Sequence, residues 1–336
     1  MVASGELPTA DARVGEAQPE GNGRAVDRHG LVVAIDVGGS KIAAALATRG
    51  GVALHVRRVA TANENLDALM TQLTGLVDAL VARAPGEVDA VALAVPGTLD
   101  HDSGTVVAAA NLPWKNTPLA EVLRRRTGLR TTVGGDGEGA TLAEGHFGAA
   151  KGRPNYACLL VGTGIGGGVV VDGVLQRGVG RRNPEIGHMI VSPQGPRCRC
   201  GARGCVEAVS AGPAILERAR ELGSSAADGA AVHVAALRGE PAATRAFAEA
   251  SEYLAMVVVS LWRLFEPPVF VFGGGVIAAS EILFTRLRAK IAELAPPRAS
   301  REVAVLRTQL PAETSFLAAV ALQLQEDARK ARVATA

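Results

Sequence analysis

The chain has 336 residues, of which 48% are hydrophobic and 20% are charged, and its formal net charge is +2. This length allows two domains with a large core, and the composition is that of a globular protein. The small net charge and the 3% of aromatic residues give no reason to expect nucleic acid or an anionic membrane as a partner. Four cysteines do not indicate an oxidising compartment, so we expect a cytoplasmic protein.

The first 29 residues contain scattered charged residues, prolines and glycines without an apolar run. This composition predicts a disordered extension and argues against a signal peptide or a membrane anchor. The longest apolar run further on, residues 254–262, is much shorter than a membrane span and is followed by Arg263.

Regular structure is expected to begin with the apolar residues 31–48, which Gly38 and Gly39 interrupt. The β-branched residues before Asp36 predict a strand, a tight turn and a second strand. The alanines at 43–45 suit a helix equally well, so local propensity leaves the second half open. The elements expected next are a strand near 52–59, a helix over 66–83, a strand over 88–95, a helix over 118–127, a strand over 130–133 and a helix from the glycine-rich residues 134–137 to about 146.

The second half of the chain repeats the plan of residues 31–48. An apolar strand over 156–161 is followed by a glycine turn that carries a hydroxyl residue, and then by V-V-V-D-G, which reads as another strand. Two copies of this plan suggest two related domains that face each other across a cleft. The remaining expected elements are helices over 212–222, 230–238, 241–265, 279–294 and 314–327, and strands over 269–272 and near 303.

The two glycine turns are candidate phosphate-binding loops. Glycine allows a close approach of the backbone, so that N–H groups can point at phosphate oxygens. Ser40 and Thr163 can donate hydroxyl groups, and Lys41 can add a positive charge. Each turn, taken alone, is also compatible with a plain hairpin.

A dinucleotide fingerprint is the other interpretation of the second turn. Gly162, Gly164 and Gly167 match G-x-G-x-x-G. That motif requires a helix directly after the glycines, because the helix N-terminus meets the pyrophosphate. The sequence that follows here predicts a strand, so a dehydrogenase is not favoured.

A metal site is predicted within residues 185–207. Cys198, Cys200 and Cys205 stand in C-x-C-G-x-x-G-C, and His188 lies ten residues upstream of the first cysteine. Three thiolates and one imidazole form a closed tetrahedral zinc set, which is typical of structural sites. A disulfide or unpaired surface thiols are the alternatives. We predict structural Zn²⁺.

The same segment resembles a known family. E-I-G-H-M over residues 185–189, followed by C-x-C-G-x-x-G-C-x-E over 198–207, resembles the signature of the ROK family (repressors, open reading frames and sugar kinases). The resemblance extends over about residues 31–325. It implies an α/β protein with the actin-like ATPase (ribonuclease H-like) fold, in which two α/β domains enclose a cleft. The small domain would contain residues 30–136 and 314–330, and the large domain residues 137–313 with the zinc-binding segment.

The resemblance also implies ligands and roles. ATP and Mg²⁺ would be cofactors, a sugar or sugar-like polyol would be the ligand, and the protein would be a homodimer or homotetramer. Asp36 would hold the hydration shell of Mg²⁺, which retains most of its waters. Asp136 would be the catalytic base, although an ordinary helix N-cap is the local alternative. The expected sugar contacts are Gly97, Asn111, Asp136, Glu185, His188 and Glu207, the expected nucleotide contacts are Asp36, Gly38, Gly39, Ser40, Lys41, Thr163, Gly164, Gly273, Gly274 and Gly275, and the expected zinc ligands are His188, Cys198, Cys200 and Cys205.

The chain departs from the family pattern beside the expected base. Gly135 and Glu138 stand where the motif N-D-x-N has asparagines. A lost buried hydrogen bond costs about 1–3 kcal/mol, enough to change substrate preference without removing the chemistry. Pro184 resembles fructokinase-like members, whereas N-L-P-W at residues 111–114 and the cysteine cluster resemble glucokinases.

The leading hypothesis is therefore an ATP-dependent kinase, glucokinase-like, that acts on a primary hydroxyl of a hexose or a hexose-like substrate. A fructokinase or mannokinase and a kinase of a sugar mimic such as a C7-cyclitol are the alternatives within the enzyme class. A ROK-type repressor is less favoured, because such proteins carry a helix-turn-helix domain ahead of the D-x-G-G motif. A degenerate kinase that only binds sugar is a third possibility.

Overall fold

The computed structural model describes residues 30–109, 111–179 and 184–334, so the predicted extension over residues 1–29 lies outside the described residues. Within these ranges the strands are β1 (Leu31–Val37), β2 (Lys41–Ala47), β3 (Ala53–Ala60), β4 (Val88–Val95), β5 (Thr98–Asp100), β6 (Thr105–Ala108), β7 (Lys115–Thr117), β8 (Arg130–Gly135), β9 (Tyr156–Val161), β10 (Ile165–Val171), β11 (Val174–Leu175), β12 (Val269–Gly273) and β13 (Ala304–Arg307). The helices are α1 (Leu66–Val81), α2 (Leu119–Thr127), α3 (Asp136–Phe147), α4 (Val206–Ser210), α5 (Gly212–Glu221), α6 (Gly229–Leu237), α7 (Pro241–Phe265), α8 (Gly275–Ala279), α9 (Glu281–Leu294), α10 (Pro297–Glu302) and α11 (Leu317–Ala334).

Two five-stranded sheets share one topology. The first has the order β3-β2-β1-β4-β8 and the second the order β11-β10-β9-β12-β13. In each sheet the first three strands in sequence pair antiparallel, and the last two strands run parallel to the first. The repeated plan in the sequence is therefore matched by a repeated sheet.

Sheet pairing settles the ambiguous alanines of the second strand. Ala43, Ala44 and Ala45 lie opposite Asp36, Ile35 and Ala34 of β1. They are extended because β1 and β3 flank them on both sides, and tertiary pairing overrides the helix propensity of alanine.

Helices α3 and α11 pack against each other between the two sheets, in a core rich in small residues. That core joins Ala34 and Ala92 of the first sheet to Cys158 and Val271 of the second. The helices approach closely, since a Cβ atom on Gly139 would lie 2.8 Å from the carbonyl oxygen of Ala318. The division into two domains at residues 136 and 313 stays a proposal.

The structure adds elements that the sequence did not predict. Strands β5, β6 and β7 form a small antiparallel sheet next to the first sheet. Ser280 separates α8 from α9, and its side chain accepts a hydrogen bond from the backbone N–H of Leu283. The last helix begins and ends later than the predicted 314–327. Among the described residues, no helix is both long and apolar enough to cross a bilayer.

Candidate active site

The carboxyl ends of parallel strands bring two aspartates to one edge of the first sheet. Asp36 lies near the end of β1 and pairs with Ala94 of β4. Val95, the next residue of β4, pairs with Gly135 at the end of β8, and Asp136 begins α3 directly afterwards. Ligands of open α/β sheets bind in this position, outside the carboxyl ends of the strands.

Asp36 is a partly buried carboxylate with a perturbed pKa. Burial raises the pKa of Asp36 from 3.8 to about 6, and the negative charge of Asp136 adds to the rise. A hydrogen bond from the Ser315 hydroxyl and the positive charge of Lys41 act in the opposite direction. Ser315, which precedes α11, is a site residue that the sequence reasoning missed. A Mg²⁺ ion would favour the ionised form of Asp36, so the carboxylate suits the expected role.

Asp136 is an exposed residue at the N-terminus of α3. The surrounding protein reduces its solvation and raises its pKa, against a hydrogen bond that the carboxylate accepts from the backbone N–H of Gly137 at 2.7 Å. The negative charges of Glu138 and Glu185 raise the pKa further. A carboxylate with a raised pKa on rigid backbone has the properties of a general base.

The first glycine turn is fixed by two polar side chains that follow β3. The Thr61 hydroxyl donates to the carbonyl oxygen of Gly38 at 2.7 Å, and the Asn63 amide donates to that of Gly39 at 3.1 Å. Ser40 and Lys41 are exposed. Asn111 lies against this turn, because a Cβ atom on Gly39 would be 3.0 Å from its Cβ.

The second glycine turn meets a third one, residues 273–275, in the other sheet. Gly273, the last residue of β12, pairs with Leu160 of β9. A Cβ atom on Gly274 would lie 2.4 Å from the carbonyl oxygen of Val161, directly before the turn that contains Thr163 and Gly164. Gly274 also has a φ of +88°, so a side chain is excluded there on two counts. Gly275 begins α8.

The two halves of the site touch at the start of α3. A Cβ atom on Gly137 would lie 3.0 Å from the backbone nitrogen of Gly167 in β10. This close approach places Asp136, from the first sheet, beside the glycine-rich strand of the second sheet. The two sheets therefore approach each other at Gly137, next to Asp136.

Glu207 lies at the second glycine turn. One carboxylate oxygen accepts a hydrogen bond from the backbone N–H of Ile165 at 2.9 Å. The same oxygen would be 2.6 Å from a Cβ atom on Gly164. Glu207 therefore holds the turn, a contact that the sequence reasoning, which gave it only a sugar contact, did not foresee.

The four predicted metal ligands converge. Ligand atoms of His188, Cys198, Cys200 and Cys205 all lie within 4.8 Å of one another. The Cys200 and Cys205 sulfurs are 3.6 Å apart, and the Cys198 sulfur is 3.5 Å from Nδ1 of His188. Zinc–sulfur bonds of about 2.3 Å in a tetrahedron give sulfur separations of about 3.8 Å, so this donor set fits one zinc ion. The sulfur separation also exceeds that of a disulfide, about 2.05 Å.

His188 lies between this cysteine cluster and Glu185. Its Nδ1 faces Cys198, while its Nε2 lies 3.9 Å from a carboxylate oxygen of Glu185. Glu185 is largely exposed and close enough to Asp136 for its charge to raise the pKa of that residue. Gly187 packs tightly, because a Cβ atom there would lie 2.0 Å from the carbonyl oxygen of Ile165.

Gly97 stands at the entry to the small sheet rather than in a glycine turn. Its φ is +110°, and a Cβ atom would collide with the carbonyl oxygen of Ala108 at 2.2 Å. This glycine allows β5 and β6 to approach each other next to Asn111. The contact of Gly97 with a sugar stays a prediction.

The departure at position 138 has a structural counterpart that the sequence did not reveal. The Glu138 side chain is 1% exposed, and its carboxylate accepts a hydrogen bond from Nε of Arg177 at 2.7 Å. The other oxygen accepts from the backbone N–H of Gly135 at 2.9 Å and lies 3.5 Å from Nε2 of His101. A glutamate in a glycine-rich segment was the one available signal.

Comparison with known proteins places this geometry in a family. Residues 32–326 match the ROK family. The chain is 34% identical over 239 residues to the glucokinase of Thermotoga maritima, an overlap that covers 67% of this chain and 75% of that protein. The ROK hexokinase of Thermus thermophilus superimposes with a TM-score of 0.78 at 32% identity, over 88% of this chain and 99% of that one.

A related structure contains ligands. The ROK family glucokinase of Streptomyces griseus, determined with glucose and AMPPNP, superimposes with a TM-score of 0.72 at 29% identity, over 89% of this chain and all of that one. The protein described here belongs to the ROK family. Its fold is the actin-like ATPase fold, as the sequence resemblance implied, and the glucokinase relatives support a sugar kinase.

Relatives within the family differ in function. The DNA-binding transcriptional repressor Mlc of Escherichia coli is 31% identical to this chain over 204 residues, which are 58% of this chain and 50% of that protein. Membership alone therefore does not separate catalysis from sensing.

Proposed function

We propose that this protein is an ATP-dependent kinase that phosphorylates a primary hydroxyl of a hexose or hexose-like substrate. The observation that carries the proposal is the position of Asp136, at the N-terminus of α3 and against the glycine-rich strand of the second sheet. The glucose and AMPPNP bound to the Streptomyces griseus glucokinase support a sugar and a nucleotide as ligands. We further propose that the protein acts in the cytoplasm.

In this proposal Asp136 takes the proton of the attacking hydroxyl. Phosphoryl transfer requires mainly positioning and charge stabilisation, with a base that orients the nucleophile. Asp36, with its pKa of about 6, would hold Mg²⁺ and its waters, and Mg²⁺ would neutralise charge on the phosphates. Lys41 lies close enough to Asp36 to affect its pKa and would add a second positive charge. Backbone N–H groups of the three glycine turns would contact the nucleotide.

The acceptor would lie between Asp136 and the segment that carries Glu185 and His188. Asn111 and Gly97 would border it from the small sheet, and Glu207 would contact it with the carboxylate oxygen that does not accept from Ile165. Zn²⁺ held by Cys198, Cys200, Cys205 and Nδ1 of His188 would fix the imidazole ring. Because the other ring nitrogen faces Glu185, the ion would orient both sugar contacts without taking part in the chemistry.

The first test is a coupled assay of ADP release from ATP. The acceptor panel contains glucose, mannose, fructose, N-acetylated amino sugars and C7-cyclitols, and a no-acceptor reaction measures background hydrolysis. Turnover on one of them at least tenfold above background supports the kinase and names the acceptor. Absence of turnover across the panel, with a folded protein, contradicts the proposal. The donor is identified by measuring formation of the phosphorylated acceptor directly, with ATP and with polyphosphate, because transfer from polyphosphate releases no ADP.

The same samples separate the kinase from the alternatives. A sugar sensor or degenerate kinase would show sugar-dependent thermal stabilisation without ADP release, because ligand binding stabilises the folded state whether or not chemistry follows. A repressor would additionally shift DNA in an electrophoretic gel, whereas we propose that no nucleic acid or membrane is a partner. We also propose a homodimer or homotetramer, which light scattering measures directly.

A further inference from the structure

Glu138 is placed to act on the catalytic carboxylate without reaching the substrate. Its side chain is 1% exposed, and its two oxygens are engaged by the Gly135 N–H, the Arg177 guanidinium and the neighbouring His101 ring. Because this carboxylate is almost completely buried, a ligand outside the protein cannot reach its oxygens. Its effect on the reaction has to pass through Asp136, two residues earlier in the same first turn of α3.

The cluster joins three separate parts of the chain at that turn. His101 directly follows β5 of the small sheet, and Arg177 lies two residues after β11 of the second sheet. Gly135 is the N-cap of α3, so the hydrogen bond from its N–H to Glu138 closes the first turn of the helix. Loss of any one of these contacts would therefore allow Asp136 to move relative to the small sheet, the second sheet or the rest of α3.

Several negative charges lie near Asp136, and the positive charge of Arg177 offsets that of Glu138. Three carboxylates are close enough to Asp136 to interact with its charge: Asp36 from β1, Glu138 on its own helix and Glu185 from the segment before His188. Two cations of the described residues offset these charges. The positive charge of Lys41 lowers the pKa of Asp36, and Arg177 forms an ion pair with Glu138. Without Arg177, the buried Glu138 carboxylate would keep only the Gly135 N–H and the His101 ring as partners, and loss of the arginine partner of a buried charge is unfavourable.

We propose that Glu138 and Arg177 form a positioning pair for Asp136, in which Glu138 fixes the first turn of α3 and Arg177 balances its charge so that Asp136 stays ionised at neutral pH. This inference rests on the proposed function, in which Asp136 is the base. It assigns a role to the glutamate that departs from the family motif, and to an arginine that no motif marks.

A double-mutant cycle tests the pair. Glu138→Gln keeps the shape and removes one negative charge, so the acid limb of kcat/KM for the acceptor should move to lower pH by roughly half to one unit. Arg177→Gln should lower kcat by roughly tenfold or more, with the KM for ATP unchanged, because the turn that carries the base is released. In the double variant kcat should be no lower than in Arg177→Gln, since paired residues are not additive.

Two further variants serve as controls for the charge at position 177 and for the loss of a cation elsewhere. Arg177→Lys retains the charge and should keep kcat within about threefold of the wild type. Lys290→Gln removes a cation from the exposed Lys290–Glu293 pair on α9 and should change neither kcat nor the acid limb. An acid limb that stays fixed in Glu138→Gln, additive losses in the double variant, or equal losses with lysine and glutamine at 177 would each overturn the proposal.

A direct titration makes the result independent of turnover. The side-chain carboxyl ¹³C signal of Asp136, assigned with Asp136→Asn, reports its protonation in the wild type and in each variant that a thermal melt shows to be folded. The midpoint should be lower in Glu138→Gln, and an unchanged midpoint refutes the pair. If Glu138→Gln does not fold, the comparison of lysine and glutamine at the partly exposed Arg177 decides. A wild type that phosphorylates no acceptor would refute the proposed function, whereas the titration would still test the pair.

Discussion

Replacement of Asp136 by asparagine is the sharpest test of the mechanism. Asparagine has the same shape, and its side-chain oxygen can still accept the hydrogen bond from the Gly137 N–H that Asp136 accepts at 2.7 Å. The fold should therefore persist while the base is lost. General base catalysis contributes about 10²–10⁴-fold, so kcat should fall by that factor, equivalent to about 3–5 kcal/mol of transition-state stabilisation.

Binding should respond differently from chemistry in this variant. The negative charge of Asp136 contributes to the raised pKa of Asp36, so its removal should leave Asp36 more readily ionised and nucleotide binding undiminished. The coupled ADP assay gives kcat and both KM values, and a thermal melt with and without acceptor reports binding. We expect the sugar-dependent stabilisation to persist within a few degrees of the wild type.

Glu185→Gln is the matched control, because Glu185 is an exposed carboxylate whose charge affects the pKa of Asp136. Its loss should raise the KM for the acceptor more than it lowers kcat. A normal kcat in Asp136→Asn would refute the assignment of the base. A collapse of kcat in Glu185→Gln at unchanged KM would transfer the role to Glu185.

Three further predictions concern metal, pH and packing. Cys205→Ser should lose the bound zinc by metal analysis and raise the KM for sugar more than that for ATP, and equal zinc content in variant and wild type would contradict the site. Asp36 has a folded-state pKa of about 6, above the ordinary 3.8, so the folded protein binds this proton more tightly than the unfolded chain. Asp36 therefore destabilises the fold at neutral pH, and this cost decreases as the pH falls below about 6 and is lost below about 3.8. The stability advantage of Asp36→Asn over the wild type in urea titrations should accordingly be larger at pH 7 than at pH 5, and a constant difference would refute the shift. Gly139→Ala should destabilise by about 1–3 kcal/mol, because the added Cβ would lie 2.8 Å from the Ala318 carbonyl oxygen, whereas Gly75→Ala on α1, with open space at its Cβ, should stabilise by up to about 1 kcal/mol in the same titrations.

The buried strands and the long helices could be predicted because their signals are local. The apolar run of β4 and the helical spacing of α1 indicate their structures without reference to the rest of the chain. The alanines of β2 could not be assigned in this way, because their conformation is decided by β1 and β3 on either side. Strands β5 and β7 are three residues long, which is too short for a periodic pattern.

In the candidate site, too, the features with a local sequence pattern could be predicted and those between distant residues could not. The cysteine cluster lies within eight residues of sequence, so its spacing alone predicts convergence, and His188 completes it. The hydrogen bond from Ser315 to Asp36 and the pairing of Arg177 with Glu138 join residues that are 279 and 39 positions apart. Such contacts have no local pattern, so only the fold reveals them. The roles in catalysis and sugar binding stay predictions until the variants above are measured.

The two departures from the asparagine motif, Gly135 and Glu138, differ in the contacts that they make. Gly135 contributes only backbone, and its N–H is already bound by Glu138, so this position adds no side-chain hydrogen bond to the acceptor. Glu138 points into the protein and is matched by Arg177. In the proposed function, the glycine at 135 would therefore affect which hydroxyl pattern is accepted, through a lost contact of about 1–3 kcal/mol. In the same proposal, the glutamate at 138 would affect the ionisation and placement of Asp136, because a charge introduced inside the protein requires a partner. If Asp136 is the base, substrate preference and catalytic competence would thus be separable, and a preference that differs from that of glucokinases would be compatible with an intact Asp136.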